Sequence, residues 1–197
     1  MIQINDLINA TEKKIILQSN LFYKDNINGF ERFNISSLQY LSSDITVSVK
    51  FKIPYGSLKP GEKYTIIGSA TPTFALGMFP QNLFLRGASN TTFVPIGTIY
   101  SNFGNYSVPY TWQRLYGNVP LDYNTTYLLT MTFQNGSMRL FLNDTFIGFY
   151  KLNYPLYKIS PTLIYLDYNI NTSIDQVGIW SQPLNFGEIW FINYNSF

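Results

Sequence analysis

Residues 127–150, YLLTMTFQNGSMRLFLNDTFIGFY, decide how the rest of this chain is read. Asn135-Gly136 is the dipeptide that best tolerates the positive φ angles of a type I′ hairpin, and alternating apolar residues flank it on both sides. Folding about that turn sets Phe133 opposite Met138, Met131 opposite Leu140 and Leu129 opposite Leu142 on one face, with Thr132 meeting Arg139 on the other. A second two-residue turn at Asn143-Asp144 is expected to bring Leu140 beside Ile147 and Met138 beside Phe149. The same face then stays apolar across three strands. Each large side chain so buried contributes about 1.5–3 kcal/mol before conformational entropy is subtracted. A meander with one apolar face needs a second layer to cover it.

The neighbouring segments supply that layer. In residues 44–53, DITVSVKFKI, the side chains of Ile45, Val47, Val49, Phe51 and Ile53 point one way and those of Thr46, Ser48, Lys50 and Lys52 the other. One face is expected to be core and the other wet. Residues 14–19 (KIILQS) read as a short strand, and 21–34 as strand, turn, strand with the bend near Asn26 to Gly29. Residues 1–12 read as an edge strand or a loosely held arm. Residues 64–69, 75–79 and 83–86 continue the strand pattern, and 54–61 (PYGSLKPG) form a loop punctuated by Pro and Gly. From 87 to 122 the pattern is irregular, with strands at 93–99 and 111–116 inside it; long irregular segments are usually functional or mobile. Residues 160–168 and 173–181 are further strands, and Asn185-Phe-Gly-Glu188 has capping-box spacing, which predicts one helical turn.

Composition narrows the chemistry. The chain has 197 residues, 46% of them hydrophobic, enough for one well-filled core, so residues 1–197 are read as one domain. Charged residues are only 12% and the net charge is +2, which argues against nucleic acid as a partner. The absence of Cys and His removes disulfides, thiolate nucleophiles, imidazole bases and most zinc or copper sites. Asn, Ser, Thr and Tyr supply the polarity instead; an AT-rich genome and acidic surroundings each explain this, and the lack of His leans toward the second. No run of 18 uninterrupted apolar residues exists, so no transmembrane helix is expected. The opening MIQINDLINATEKK has neither the basic nor the apolar region of a signal peptide, so the expectation is export by another route, display by particle assembly, or trimming.

Asn-X-Ser/Thr triplets begin at Asn9, Asn34, Asn90, Asn105, Asn124, Asn135, Asn143 and Asn171, about twice what chance pairing gives. They are glycan acceptors in an exported protein or turn formers in any β-rich one. Asn135 and Asn143 fall in the hairpin turns, which leaves Asn9, Asn34, Asn90, Asn105, Asn124 and Asn171 as the candidate glycosylation sites. Many short strands separated by Gly, Pro and Asn turns mean an all-β fold, an antiparallel two-sheet β-sandwich or jelly roll.

The order of these signatures resembles laminin-G-like domains. Residues 136–150 (GSMRLFLNDTFIGFY) are similar to their strand, turn, strand, residues 173–189 (SIDQVGIWSQPLNFGEI) to their closing segment, and residues 28–53 to their opening strands. The resemblance implies the concanavalin A-like jelly roll shared by lectins, laminin-G modules, pentraxins, some glycosidases and attachment domains. Retaining glucanases of that fold carry a Glu-x-Asp-x-x-Glu run. This chain has none, and its acids, including Asp122, Asp144, Asp167 and Asp175, fall in or beside predicted turns. An endo-acting glycosidase is therefore the least favoured reading. No cofactor is expected; related modules hold calcium with loop oxygens, and Asp144 and Asp175 are the residues that could contribute.

Trp180 and Trp190 read as core or edge-sealing residues. Tyr106, Tyr110, Trp112, Arg114 and Tyr116 lie in the irregular segment and form the candidate ligand-binding cluster, with packing as the alternative role. The function expected is a non-catalytic recognition module binding a glycan or protein, extracellular or on a virion surface. Its low-charge composition resembles that of structural proteins from viruses of heat- and acid-loving archaea, a group that would make it thermostable. A purely architectural subunit that oligomerises or assembles into a particle is the alternative.

Overall fold

The protein is described here by a computed structural model covering residues 20–34, 44–59, 61–69, 74–80, 92–101, 111–152, 163–166 and 172–194. The described strands are β1 (Asn20–Asn28), β2 (Glu31–Asn34), β3 (Ile45–Lys52), β4 (Tyr64–Ser69), β5 (Phe74–Pro80), β6 (Phe93–Ser101), β7 (Thr111–Tyr116), β8 (Thr126–Gln134), β9 (Ser137–Leu142), β10 (Thr145–Lys151), β11 (Leu163–Leu166) and β12 (Ser173–Trp180). One helix follows, α1 (Phe186–Tyr194). Two six-stranded sheets result: sheet I in the order β1-β12-β3-β8-β9-β10 and sheet II in the order β2-β11-β4-β5-β6-β7. All pairings are antiparallel. The expected arm at 1–12 and the strands expected at 14–19 and 83–86 lie outside the described residues.

The first hairpin has the register its sequence dictates. Phe133 pairs with Met138, Met131 with Leu140, Leu129 with Leu142 and Thr132 with Arg139. Asn135 and Gly136 both take positive φ, 48° and 74°, as a type I′ turn requires. The second hairpin differs from expectation. A bulge between Phe146 and Gly148 shifts the pairing by one, so Met138 faces Tyr150 rather than Phe149, and Leu140 faces Gly148. The extra residue lets Ile147 stay buried while Phe149 turns outward and is 51% exposed.

Between the sheets lies a continuous core in which Ile45, Val47, Val49, Phe51 and Ile53 are joined by Phe74, Leu76, Met78, Met131, Phe133 and Leu140. Gly97 faces this core: a Cβ there would come within 2.9 Å of Met131 Sδ, so the glycine sets how closely the sheets approach. The bend after β1 carries the chain from sheet I to sheet II through Gly29, φ 77°. Across that crossing Lys24 pairs with Glu31 at 2.6 Å, and the Phe22 and Phe33 rings meet at 5.3 Å.

The second face of β3 is not wet over its whole length. Thr46 and Ser48 are as buried as their apolar neighbours, while Lys50 and Lys52 emerge at the far end. The cause is α1, which is a nine-residue helix rather than a single turn. The capping box forms as its spacing predicts: Glu188 N–H donates to Asn185 Oδ1 at 3.0 Å and Asn185 N–H to Glu188 Oε2 at 2.7 Å. A second apolar cluster then seals helix to sheet, with Leu184, Ile189, Phe191 and Ile192 over Leu128, Phe141 and Trp180. Trp180 is thus a sealing residue on the outer side of sheet I, as its position after an alternating strand suggested. Buried hydroxyls there are partnered: Thr46 Oγ1 donates to Gln182 O and accepts from Leu184 N–H, both at 2.8 Å, and the Ser48 and Thr130 hydroxyls meet at 2.7 Å.

Candidate functional site

No helix covers the outward face of sheet II among the described residues. Its register lays a row of residues across all six strands: Arg32, Tyr165, Gly68, Ala75, Thr98 and Arg114. Small residues occupy the middle of the row and arginines its two ends. The parallel row, Thr65, Gly77, Ile96 and Tyr116, is likewise small at its centre. Where small side chains line up between larger ones a sheet face is hollowed. A groove of about 270 Å³ lies there, bounded by Lys63, Thr65, Ala75, Phe79, Thr98 and Arg114 among others.

Two features fix its shape. At Gly77 a Cβ would stand 1.9 Å from the Tyr64 carbonyl oxygen, because the bulge between Thr65 and Ile67 brings the β4 backbone over β5. No side chain can be accommodated there, so only glycine fits this position. At one side Phe79, Val94 and Ile96 form a small apolar cluster apart from the main core, and the Tyr116 ring meets Phe79 edge-on at 4.9 Å. Lys63 Nζ lies 5.2 Å from the centre of the Phe79 ring. The Thr98 hydroxyl is anchored on Ala75 O at 3.1 Å.

No carboxylate borders the groove among the described residues. The one acid within the described strands of sheet II is Glu31, and it is paired with Lys24. Below the groove Tyr64 is buried through its ring. Its hydroxyl accepts from Lys59 N–H at 2.6 Å and donates to Glu62 Oε2 at 3.1 Å. Burial raises the Tyr64 phenol above its ordinary pKa, and the Glu62 carboxylate pushes in the same direction.

Of the candidate cluster, Arg114 borders the groove directly and Tyr116 joins it through Phe79. Trp112 pairs in backbone register with Tyr100 on the same edge of the sheet, and Tyr106 and Tyr110 lie outside the described residues. The β4 and β5 contributions, Lys63, Thr65 and Ala75, were not expected from sequence; the signal was the small residues Gly68, Ala75 and Gly77 at outward positions of otherwise apolar strands. Asp144 stands at the β9–β10 turn, where Tyr194 Oη donates to it at 3.2 Å, raising the tyrosine's pKa. Asp175 lies inside β12 on an exposed position, not in a turn. Among the described residues no three acids are grouped so as to hold a metal ion. Asn34 and Asn124 are exposed, the latter in a turn at φ 60°, whereas Asn9, Asn90, Asn105, Asn171 and Asp167 lie outside the described residues. No described helix is long and apolar enough to cross a membrane.

No protein-family model matches this chain, and no curated protein matches it. Solved structures match it in fold, an all-β sandwich of two antiparallel sheets. The structure is similar to the binding domain of botulinum neurotoxin serotype D/C VPI 5993, with a TM-score of 0.61, 13% identity and coverage of 90% of this chain and 52% of that one. It is also similar to the binding domain of botulinum neurotoxin DC in complex with SialylT, at a TM-score of 0.60 and 16% identity over 83% of this chain and 38% of the other. A third match is a botulinum neurotoxin type C structure concerned with cell entry dependent upon interaction with two ganglioside molecules, at a TM-score of 0.51 and 16% identity over 76% and 35%. The chain therefore spans between about a third and a half of these structures' length. At such identities the likeness is one of fold.

Proposed function

We propose that this protein is a non-catalytic recognition module of the concanavalin A-like, laminin-G-like kind that binds a glycan in the groove of sheet II. The observation that carries the reading is an open groove lined by threonines, small apolar residues and cations, with no bordering carboxylate among the described residues. Such a lining can meet the apolar side of a sugar and hydrogen-bond its hydroxyls, yet it offers no acid and base pair for glycoside hydrolysis. The complex with SialylT and the ganglioside dependence belong to neighbours in fold, and they support a glycan as the ligand class. Arg114 and, through Phe79, Tyr116 supply the β7 side of this site. Display outside the cell or on a virion is part of the same reading, supported by the exposed sequons Asn34 and Asn124. No cofactor takes part.

The test is a glycan array probed with the native protein and with Thr98→Trp, which fills the groove from a surface position. Loss of binding with an unchanged melting temperature is the expected result; array binding unaffected by the indole would remove the groove from the account. One observation favours a second, architectural reading. Edge strand β10 exposes Phe146, Phe149 and Tyr150, which suits assembly with another copy through that edge. Sedimentation at high concentration decides it, since a strict monomer ends that reading.

A further inference from the structure

Apart from the groove, we infer that Tyr55 and Tyr123 form a second saccharide site, a two-ring platform at one end of the sandwich that takes a single neutral pyranose. The β3–β4 and β7–β8 connections cross between the sheets side by side there. Each bends at a tyrosine. Pro54-Tyr55-Gly56-Ser57 closes with Ser57 N–H on Pro54 O at 3.2 Å, and Gly56 at φ 76° supplies the positive angle that a type II turn needs at its third residue. Asn124, at φ 60°, sends its N–H to Ile53 O at 2.7 Å and so ties one bend to the other. Behind them Asp122 N–H donates to Tyr127 Oη at 3.0 Å and Lys59 N–H to Tyr64 Oη at 2.6 Å, and both of these tyrosines are buried.

This framework displays two rings that the core does not use. Tyr55 is 82% exposed and Tyr123 36%, and the rings meet edge-on at 5.4 Å. Each therefore restrains the other while a face of Tyr55 stays open. A tyrosine held in this way offers contact area at little entropic cost, and its ring face packs against the C–H face of a pyranose. Size and charge choose the occupant. A protein partner covers about 800 Å² per side and avoids Lys, Glu and Asp at the centre of its contact. These connections carry Lys59, Glu62, Lys63 and Asp122 exposed, next to Lys52 at the end of β3. Two rings match one sugar residue instead. Charges of both signs surround them, so no field selects an ionic sugar, and Asp122 and Asn124, exposed on either side of Tyr123 in the chain, offer acceptors to sugar hydroxyls. One sugar on two rings binds on the order of 1 mM, so the platform stays empty at concentrations that fill a tighter site.

Aromatic-region NMR of the isotopically labelled native chain tests this with cellotetraose, mannotetraose and galactotetraose, and with tetragalacturonate as the charged control. The Tyr55 and Tyr123 ring signals are expected to move with at least one neutral tetraose. Tyr55→Phe should keep that binding, since the ring remains. Tyr55→Ala should weaken it at least about tenfold, read on Tyr123, with an unchanged melting temperature. Ring signals that stay still with every probe overturn the platform; groove amides moving in the same samples would then leave the glycan-binding reading standing without it. A stronger response to tetragalacturonate than to any neutral tetraose overturns the neutral class. Binding undiminished in Tyr55→Ala places the sugar elsewhere and overturns the inference as well.

Discussion

The outward faces of the two sheets start from similar sequence patterns and end in opposite states. On sheet I, Thr46, Ser48, Thr130 and Thr132 alternate with core residues and would ordinarily meet water, but α1 and the Leu184 segment lie over them and they are buried. On sheet II, Thr65 and Thr98 alternate in the same manner and stay accessible in a groove. The difference lies in what surrounds the hydroxyls. Sheet I flanks them with Leu128, Phe141 and Trp180, an apolar frame on which a helix can dock. Sheet II flanks them with Arg32, Lys63 and Arg114, charges that an apolar helix would have to desolvate at a cost of several kcal/mol each. A polar alternation in a strand therefore does not by itself announce solvent.

Substitutions should separate the faces sharply. Trp180→Ala removes the largest side chain under α1 and is expected to destabilise the protein by about 3–5 kcal/mol, measured by chemical denaturation. A loss below about 1 kcal/mol would mean that the helix contributes little to the fold. Thr46→Val keeps the volume but leaves the Gln182 carbonyl and Leu184 N–H without their shared hydroxyl. The expected cost is about 1–3 kcal/mol. Asn185→Ala breaks the capping box and should cost about 1 kcal/mol, with faster amide exchange confined to the first turn of α1. At the small end, Arg114→Gln on the bare face should leave stability within about 0.5 kcal/mol of the native protein, so any loss of binding it causes cannot be blamed on unfolding.

How much of this was legible in sequence follows from which forces are local. The Asn135-Gly136 turn and the alternation in β3 and β8 are short-range signals, and the sandwich with its inward residues follows from them. The capping box marked where α1 begins, but its length depends on Ile189, Phe191 and Ile192 finding the outer side of sheet I, a contact distant in sequence. The bulge at Ile147 was hidden because Phe146, Ile147, Phe149 and Tyr150 are all apolar or aromatic, so their order does not say which of them face inward; it is set by packing against sheet II, where Gly117 and Gly148 make room for Ile147 and Leu115. The candidate cluster on β7 located one wall of the groove at Arg114 and Tyr116. The facing wall comes from β4 and β5, whose glycines look like weak strand positions until the six-strand register sets them side by side.

The most direct test of this contrast is to titrate the isotopically labelled protein with the saccharide that binds best on the array and follow every backbone amide by NMR. Shifts confined to Thr65, Ala75, Gly77, Thr98, Arg114 and their neighbours, with Thr46, Ser48 and Leu184 unmoved, are the expected result. Shifts centred on α1 and the strands beneath it, with the groove of sheet II silent, would contradict the account.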